Sequence, residues 1–462
     1  MRLTAHGWWL QDAGTAVPEP PLETDLTCDV VVIGGGYTGM WAAWHLAERG
    51  ADVVVLESGI CGEGPSGRNG GFVDHLAHAA PRLRELAGDD AARATIAESI
   101  ASIRAIGTWC EQQGVDAWFR PAGQIVASAA PAQDGGEDDA VAACAALGLG
   151  GELRPLTGDE VAARITSPVL RGGVLAPSTA TIQPGRLARG LRTRLIERGV
   201  RVREHSRVRA LHERPGEVLV EAGTGRVRAG NAILAAGSRA VALAPLRRRL
   251  TVTSSHLVIT EPVPAVLEDI GWTGGEAVSD GRHLVHYFRT TPDGRIAFGW
   301  GGGRIVCGAR LQPRDDADRR LAHRVAADLV RFFPALAGRR IDHAWGGPID
   351  ASPAHLPIVD TLPGGRTHFA FGYTGNGVGP SELCGRILAR MALDERDALT
   401  RLPIVGTSGR LLPPEPLRVA GGEAVRIALD RKERAEERHR VAPRAARAVA
   451  RLPNLLGVQI GR

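Results

Sequence analysis

Cys28-Asp29-Val30-Val31-Val32-Ile33-Gly34-Gly35-Gly36-Tyr37-Thr38-Gly39 is the stretch on which the fold turns. Its first half is a short apolar run rich in β-branched residues, the pattern of a strand buried on both faces. Its second half places glycine at 34, 36 and 39, a G-x-G-x-x-G spacing. Met40 to Arg49 then reads as a helix, with Gly50 as its C-terminal cap. Ala51 to Leu56 reads as a second buried strand, closed by Glu57. The glycine spacing alone is a weak signal. Between a strand and a helix, with an acid ending the next strand, it predicts a dinucleotide-binding unit. Gly34 permits the tight turn, Gly36 lets the backbone approach a pyrophosphate, and Gly39 lets the helix lie close to the strand. Tyr37 and Thr38 open that helix, whose free N–H groups and partial positive charge favour phosphate. Glu57, followed by Ser58, accepts hydrogen bonds from an adenosine ribose. It would repel a 2′-phosphate, which disfavours NADP.

Working outward, Cys61-Gly62-Glu63-Gly64-Pro65-Ser66-Gly67-Arg68-Asn69-Gly70-Gly71 is a polar, glycine-dense loop. Its backbone can run close to an extended ligand, with Arg68 and Asn69 offering polar contacts. An NAD enzyme ordinarily enters a helix here, so the loop favours FAD. Residues 80–120 carry Ala, Leu and Arg at helical spacing, and 121–180 mix short strands with turns. Gln183-Pro184-Gly185 opens a helix that Gly199 stops. Residues 200–204 read as a short strand, 218–227 as a hairpin, and 231–236 as a buried strand ending at Gly237. From 250 to 310 the pattern is mainly β, with a hairpin turning at Thr291-Pro292-Asp293-Gly294. An amphipathic helix is expected over 315–332, a strand over 368–373, and a helix from Pro380 to Leu393. Residues 1–27, with Pro18, Pro20 and Pro21, read as a surface arm. The tail reads as Arg/Ala/Glu-rich helix over 423–450, broken at Pro443.

Several of these segments together resemble the D-amino-acid oxidase/glycine oxidase (DAO) family of flavoproteins. More narrowly, they resemble its γ-glutamylputrescine-oxidase-like amine oxidase branch. The segments are Ser66 to Gly71, Gln183-Pro184-Gly185-Arg186-Leu187, Ala235-Ala236-Gly237, Tyr287 to Arg295, Trp345-Gly346-Gly347-Pro348, and Gly372 to Gly379. The resemblance runs from about residue 28 to about residue 405. It implies an α/β (α+β overall) chain with a Rossmann-type FAD-binding domain. That domain is expected to be discontinuous, over 28–80, 155–245 and 345–405. A substrate domain on a mixed, largely antiparallel sheet is expected over 81–154 and 246–344, and a C-terminal helical extension over 406–462. The resemblance places Gly375, Asn376, Gly377, Val378 and Gly379 at the pyrimidine end of the flavin. A helix N-terminus there stabilises negative charge on the reduced ring. It also makes the Val208 backbone a candidate adenine contact.

The implied reaction is oxidation of a C–N bond in an amine or amino acid. The α-hydride of the neutral amine passes to flavin N5, the imine hydrolyses, and O2 is the expected acceptor, giving hydrogen peroxide. The cofactor carries this chemistry while the protein supplies position and electrostatics. No nucleophilic triad is needed and no metal is expected. His256, His286, Tyr287, Trp300 and Trp345 fall on the expected substrate side. Arg289 either pairs with a substrate carboxylate or is a solvated strand residue. Tyr373, inside the glycine-rich segment, is expected near the flavin. Two departures stand out. Sarcosine-oxidase-like relatives use a lysine to activate O2, whereas Lys432 in the tail is the only lysine here. This keeps a dehydrogenase with another acceptor, or a flavin-binding subunit of a larger complex, as alternatives. Neither Cys384 nor His75 has suitable spacing for covalent attachment, so the FAD is expected to be non-covalent.

The composition agrees. The chain has 462 residues, 44% of them hydrophobic, enough for a large core over two or three domains. Its net charge of +5 is mostly arginine interspersed with acids. No basic stripe with aromatic residues stands out, so no nucleic-acid partner is expected. No apolar run reaches the ~18–20 residues of a membrane span, and no secretory signal is read at the start. A cytoplasmic protein acting on a small-molecule amine is the expectation, with oligomerisation left open. The scattered cysteines, without a C-x-x-C pair, read as reduced thiols. A monooxygenase would need a second phosphate-binding loop for NADPH, and none is read.

Overall fold

The computed structural model describes residues 1–308, 310–406 and 410–455. The apolar run at its start becomes the strand Leu26–Ile33, with its last four residues buried. Val53–Leu56 lies parallel to it on one side and Gly225–Leu234 on the other. Among the described residues the sheet runs Val208–Arg214, Glu217–Ala222, Gly225–Leu234, Leu26–Ile33, Val53–Leu56, Arg201–Arg203. Thr367–Phe371 pairs parallel to Gly225–Leu234 and carries Ile358–Thr361 at its side. Parallel strands are covered on both faces, which is why these runs are apolar without alternation. One face packs under the helices Tyr37–Glu48, Pro184–Glu197 and Val378–Ala392, around Met40, Trp41, Leu187 and Leu388. The other packs Val31, Val54, Val220 and Phe371. The strands come from three separated stretches of chain, so the nucleotide unit is assembled over long distances in sequence.

A second sheet of mixed direction runs Arg2–Leu3, Ile341–Ala351, Thr251–Thr260, Ile296–Trp300, His286–Thr290, Ala277–Asp280, Gln124–Ala127, Gly173–Ala176, Arg154–Leu156. Most of its pairs are antiparallel. The helix Arg319–Phe332 covers its back, with Asp318 accepting from the N–H groups of Arg320 and Leu321 as N-cap. Behind the sheet, Phe288, Phe298, Phe332, Phe333 and Trp272 pack edge-on and stacked.

Five expectations need correction. Residues 1–27 are not simply a surface arm. Arg2–Leu3 joins the second sheet, and the helix Gly7–Asp12 buries Trp8, Trp9 and Leu10. Two tryptophans bury more apolar area than the following proline-rich stretch can offset. The domain boundary expected at 155 falls inside the hairpin Arg154–Leu156/Gly173–Ala176 of the second sheet. The boundary at 345 falls inside Ile341–Ala351, one continuous strand. A short strand carries no mark of which sheet it will join; pairing is a tertiary choice. The loop after Glu57 contains a single helical turn, Pro65–Arg68, begun by the proline. The tail forms two helices, Leu417–Glu437 and Arg444–Leu455; the break spans 438–443 and so includes Pro443 as expected, but the first helix starts earlier than expected. Residues 407–409 and 456–462 of the expected extension lie outside the described residues.

Candidate functional site

A cavity of about 1200 Å³ opens between the two sheets, where the parallel strands end in Ile33 and Leu56. This is the place where open α/β sheets bind ligands. Its wall passes Glu57, Ser58 and Val208, then Gly34, Gly36, Tyr37, Thr38 and Ser66. It includes Arg68, Asn69, Gly70, Ala236 and Gly237, and also Tyr373, Gly375, Asn376, Gly377 and Val378. Residues widely separated in sequence are thereby brought to one surface.

The glycine turn is built by exclusion. At Gly34 φ is +109°, and an added Cβ would lie 2.4 Å from the Ala235 carbonyl oxygen. At Gly39 it would lie 1.9 Å from the Gly34 carbonyl oxygen, so the helix can sit on the strand only without a side chain there. The helix N-terminus faces the cavity, and the Tyr37 N–H donates to Ser66 Oγ at 2.9 Å. The Glu57 carboxylate accepts from the Gly35 N–H (2.7 Å), the Gly59 N–H (2.8 Å) and the Ser58 hydroxyl (2.9 Å). It therefore braces the turn as well as lining the cavity. Tyr37 anchors rather than reaches. Its phenol donates to the Pro184 carbonyl at 2.7 Å, and burial pushes its pKa up. Arg68 donates to Ala5 O and Asp316 Oδ1. Asn69 donates to Ser66 O and accepts from the Gly71 N–H. Asn69 shapes the loop from within, and Arg68 ties it to the N-terminal segment and to Asp316.

Not every expected residue lines the cavity. Gly39, Gly67, Gly71 and Gly379 are absent from its wall. A Cβ on Gly67, Gly71 or Gly379 would strike a backbone oxygen within 2.3 Å, so these are close-packing glycines. His256, His286 and Arg289, expected near the substrate, are also absent from the wall. The reason for the two histidines is the two-residue period of a strand. Ser255 and Leu257 face the cavity, so His256 faces away; Tyr287 faces it, so His286 lies behind. His286 Nδ1 lies 2.7 Å from Asp280 and its Nε2 3.3 Å from Asp328, beside Phe298 and Phe332. Burial lowers the His256 pKa to about 4. Arg289 does not meet a carboxylate from the substrate side. Its Nη1 donates to the carbonyls of Gly71 and Ile182 and its Nε to that of Thr290. Burial brings its pKa down to about 9. It ties the 69–71 loop to the second sheet. Trp300 and Trp345 are also outside the wall.

Two features went unread in the sequence. Ser255 Oγ donates to the Trp300 carbonyl at 3.0 Å and lies 2.6 Å from the Tyr287 hydroxyl. With its one proton committed, Ser255 accepts from Tyr287, leaving the phenol oxygen lone pairs toward the cavity. Burial raises the Tyr287 pKa, so the phenol stays protonated. Asp350 also lines the cavity, accepts from the Gly372 N–H at 2.6 Å, and has its pKa raised by burial to about 6. Counting the strand period through Tyr287-Phe288-Arg289 would have separated Tyr287 from His286. Nothing local marks Ser255 or Asp350.

A glycine turn braced by a strand-end acid, roofed by a second mixed sheet, defines a dinucleotide-dependent oxidoreductase architecture. The chain belongs to the DAO family of FAD-dependent oxidoreductases, which matches residues 29–391. It is 30% identical over 418 residues to the gamma-glutamylputrescine oxidoreductase of Escherichia coli, covering 87% of this chain and 93% of that one. It is 29% identical to the probable oxidoreductase OrdL of Rhizobium meliloti over 412 residues, 85% of this chain and 91% of that protein. The glycine oxidase of Geobacillus kaustophilus shares the fold, with a TM-score of 0.65 at 20% identity over 83% of this chain and 99% of that one. FAD is the family's cofactor, and the residues present fit it. The side-chain-free cradle at Gly34 and Gly36, the strand-end acid Glu57 and the helix N-terminus at Tyr37 line one continuous cavity. Among the described residues no helix is long and apolar enough to cross a membrane.

Proposed function

We propose that the chain oxidises a C–N bond of a small amine or amino-acid-like substrate using non-covalent FAD. The observation that carries this reading is the Tyr287–Ser255 pair on the cavity wall. When bound, FAD supplies a two-electron acceptor for the substrate α-hydride. The Tyr287 oxygen, its proton held by Ser255, accepts an N–H of the amine and orients its α-carbon. Asp350, with a pKa raised to about 6, exchanges a proton near neutral pH. The N-terminus of Val378–Ala392 adds partial positive charge beside Gly375 to Gly377, favouring negative charge at that end. The imine product takes up water to release a carbonyl compound and ammonia.

The proposed acceptor is O2, reduced to hydrogen peroxide. One observation favours a dehydrogenase as the second reading. Lys432 pairs with Glu436 at 2.8 Å in the tail helix, outside the cavity wall. Peroxide formation measured against reduction of an artificial dye separates the two.

Anaerobic reduction of the flavin by a panel of amines, followed by absorbance, tests the assignment. If no amine bleaches the flavin, it is wrong. In the same assay Tyr287→Phe is expected to raise the amine Kd about tenfold, the value of one hydrogen bond of ~1.4 kcal/mol, with FAD content unchanged. An unchanged Kd would remove Tyr287 from substrate binding. No cysteine is on the cavity wall, and Cys384 is buried within its helix. Acid precipitation is therefore expected to leave a colourless pellet and a yellow supernatant.

A further inference from the structure

Part of the cavity wall comes from outside the stretch the family matches. The tail helix Leu417–Glu437 contributes Leu417, Gly421, Val425 and Leu429, and the next helix contributes Leu452. The spacing of four puts the first four on one face of the helix. Leu284 and Val285, in the loop that leads into the strand His286–Thr290, line the same cavity. The cations on this stretch of helix are committed to protein partners. Arg418 donates to Glu415 and to the Leu250 carbonyl, and Arg426 pairs with Glu423 at 2.8 Å. The helix thus offers an apolar strip, with Val425 and Leu429 buried and Leu417 exposed at the mouth, while Arg282 and His283 line the cavity nearby.

The helix is a fixed wall rather than a loose flap. Glu423 accepts from the Ile305 N–H at 2.7 Å, and Glu433 accepts from the His283 N–H at 2.8 Å. Asp430 pairs with Arg324 at 2.5 Å and Glu437 with Arg331 at 2.7 Å. These contacts spread over the length of the helix and bind it to the strand Ile305–Val306, the loop at His283 and the helix Arg319–Phe332.

Gly421 and Gly422 stand side by side in this helix, where glycine is the poorest choice after proline. Gly422 has a packing reason, since a Cβ there would lie 3.2 Å from Ile305 Cγ1. Gly421 has none. Both residues line the cavity, but Gly421 is exposed at its rim and a Cβ there meets no atom within 4 Å. We propose that the tail helix is the substrate-selecting wall at the mouth of the chamber, that it favours amines with a bulky apolar body, and that Gly421 leaves the opening such a body needs. The substrate class rests on the amine reading above; the selecting wall does not.

The test uses holoenzyme carrying Gly421→Ala, Gly421→Leu or Gly421→Phe. All three should fold, and the alanine variant should melt higher, because the position is open and helical. Spectral titration of the flavin with indole, an uncharged apolar probe that needs no turnover, is the first readout. The indole Kd is expected to rise at least tenfold in the phenylalanine variant and less than threefold in the alanine variant. The second readout is KM for the largest and smallest amines that reduce the flavin. KM should rise at least tenfold for the large amine and stay within twofold for the small one. Failure of the unmodified holoenzyme to bind indole, or an indole Kd unchanged in the phenylalanine variant, overturns the proposal. If indole affinity responds while no amine reduces the flavin, the selecting wall stands and the amine reading falls.

Discussion

Gly39→Val is expected to yield a protein that does not retain FAD. The Cβ would be placed 1.9 Å from the Gly34 carbonyl oxygen. The oxygen belongs to the backbone and the Cβ position is fixed by it, so no rotamer change relieves the clash. The helix Tyr37–Glu48 must move off the strand Leu26–Ile33, which carries the Tyr37 N–H away from Ser66 and tilts the helix terminus from the cavity. Overpacking of this kind costs about 3 kcal/mol or more. The loss of phosphate positioning adds to it. The ratio of flavin to protein absorbance after gel filtration should fall below about a tenth of the unmodified value, with a lower melting temperature. Gly50→Ala is the control. Its φ of +78° makes it mildly strained, but its Cβ meets no atom within 4 Å, so flavin should be retained. Full occupancy in Gly39→Val would show that the helix does not depend on this approach.

Arg192→Met is expected to destabilise the fold by about 3–5 kcal/mol in urea unfolding at pH 7. Glu204 is fully buried and is held by Arg192 through two bonds of 2.7 and 2.8 Å. It also accepts from the N–H groups of Glu19 and Cys61. Arg192 donates in turn to the Val17 carbonyl at 2.7 Å. The pair thereby clips the proline-rich segment near the start of the chain to the nucleotide sheet. Burial opposes the Glu204 charge, but the Arg192 bonds and the two backbone N–H bonds outweigh it, and the pKa lies below its ordinary value. A depressed carboxyl pKa stabilises the fold fully above the unfolded value, about 4.3, and that contribution is lost as pH falls through the folded value. In Arg192→Met burial dominates and raises the pKa, so protonation of Glu204 then relieves the variant. The gap between variant and parent should therefore shrink from pH 7 to pH 4. A gap independent of pH would mean that the loss is packing alone. Arg192→Met combined with Glu204→Leu should recover most of the stability at pH 7.

Much of the nucleotide end was legible in the residues. Gly34, Gly36, Glu57, Ser66, Ala236, Gly237 and Gly375 to Val378 all fall on the wall of one cavity. Their signals are local: a backbone turn, a strand end and a helix start each depend on a few neighbours. The substrate end was not legible in the same way. His256 and His286 carry the chemistry a reader looks for, yet they sit one residue away from the side chains that face the cavity. A strand reverses its side chains at every step, so an error of one residue exchanges cavity for core. Ser255 matters only because Tyr287 pairs with it across the sheet, and Asp350 only because Gly372 turns its N–H toward it.

By itself, the sequence determined that a glycine turn follows a buried strand and that an acid closes the next one. It also set a second glycine-rich turn ahead of a late helix. These follow from short-range sterics and hydrogen bonding. Only the tertiary structure decided which sheet the strands at 154–156 and 173–176 join. It also turned Arg289 to the carbonyls of Gly71 and Ile182 and brought the tail helix to the cavity wall. Each of those depends on which surfaces meet. That is settled by burying apolar area and satisfying polar groups across segments hundreds of residues apart, and no local pattern encodes it.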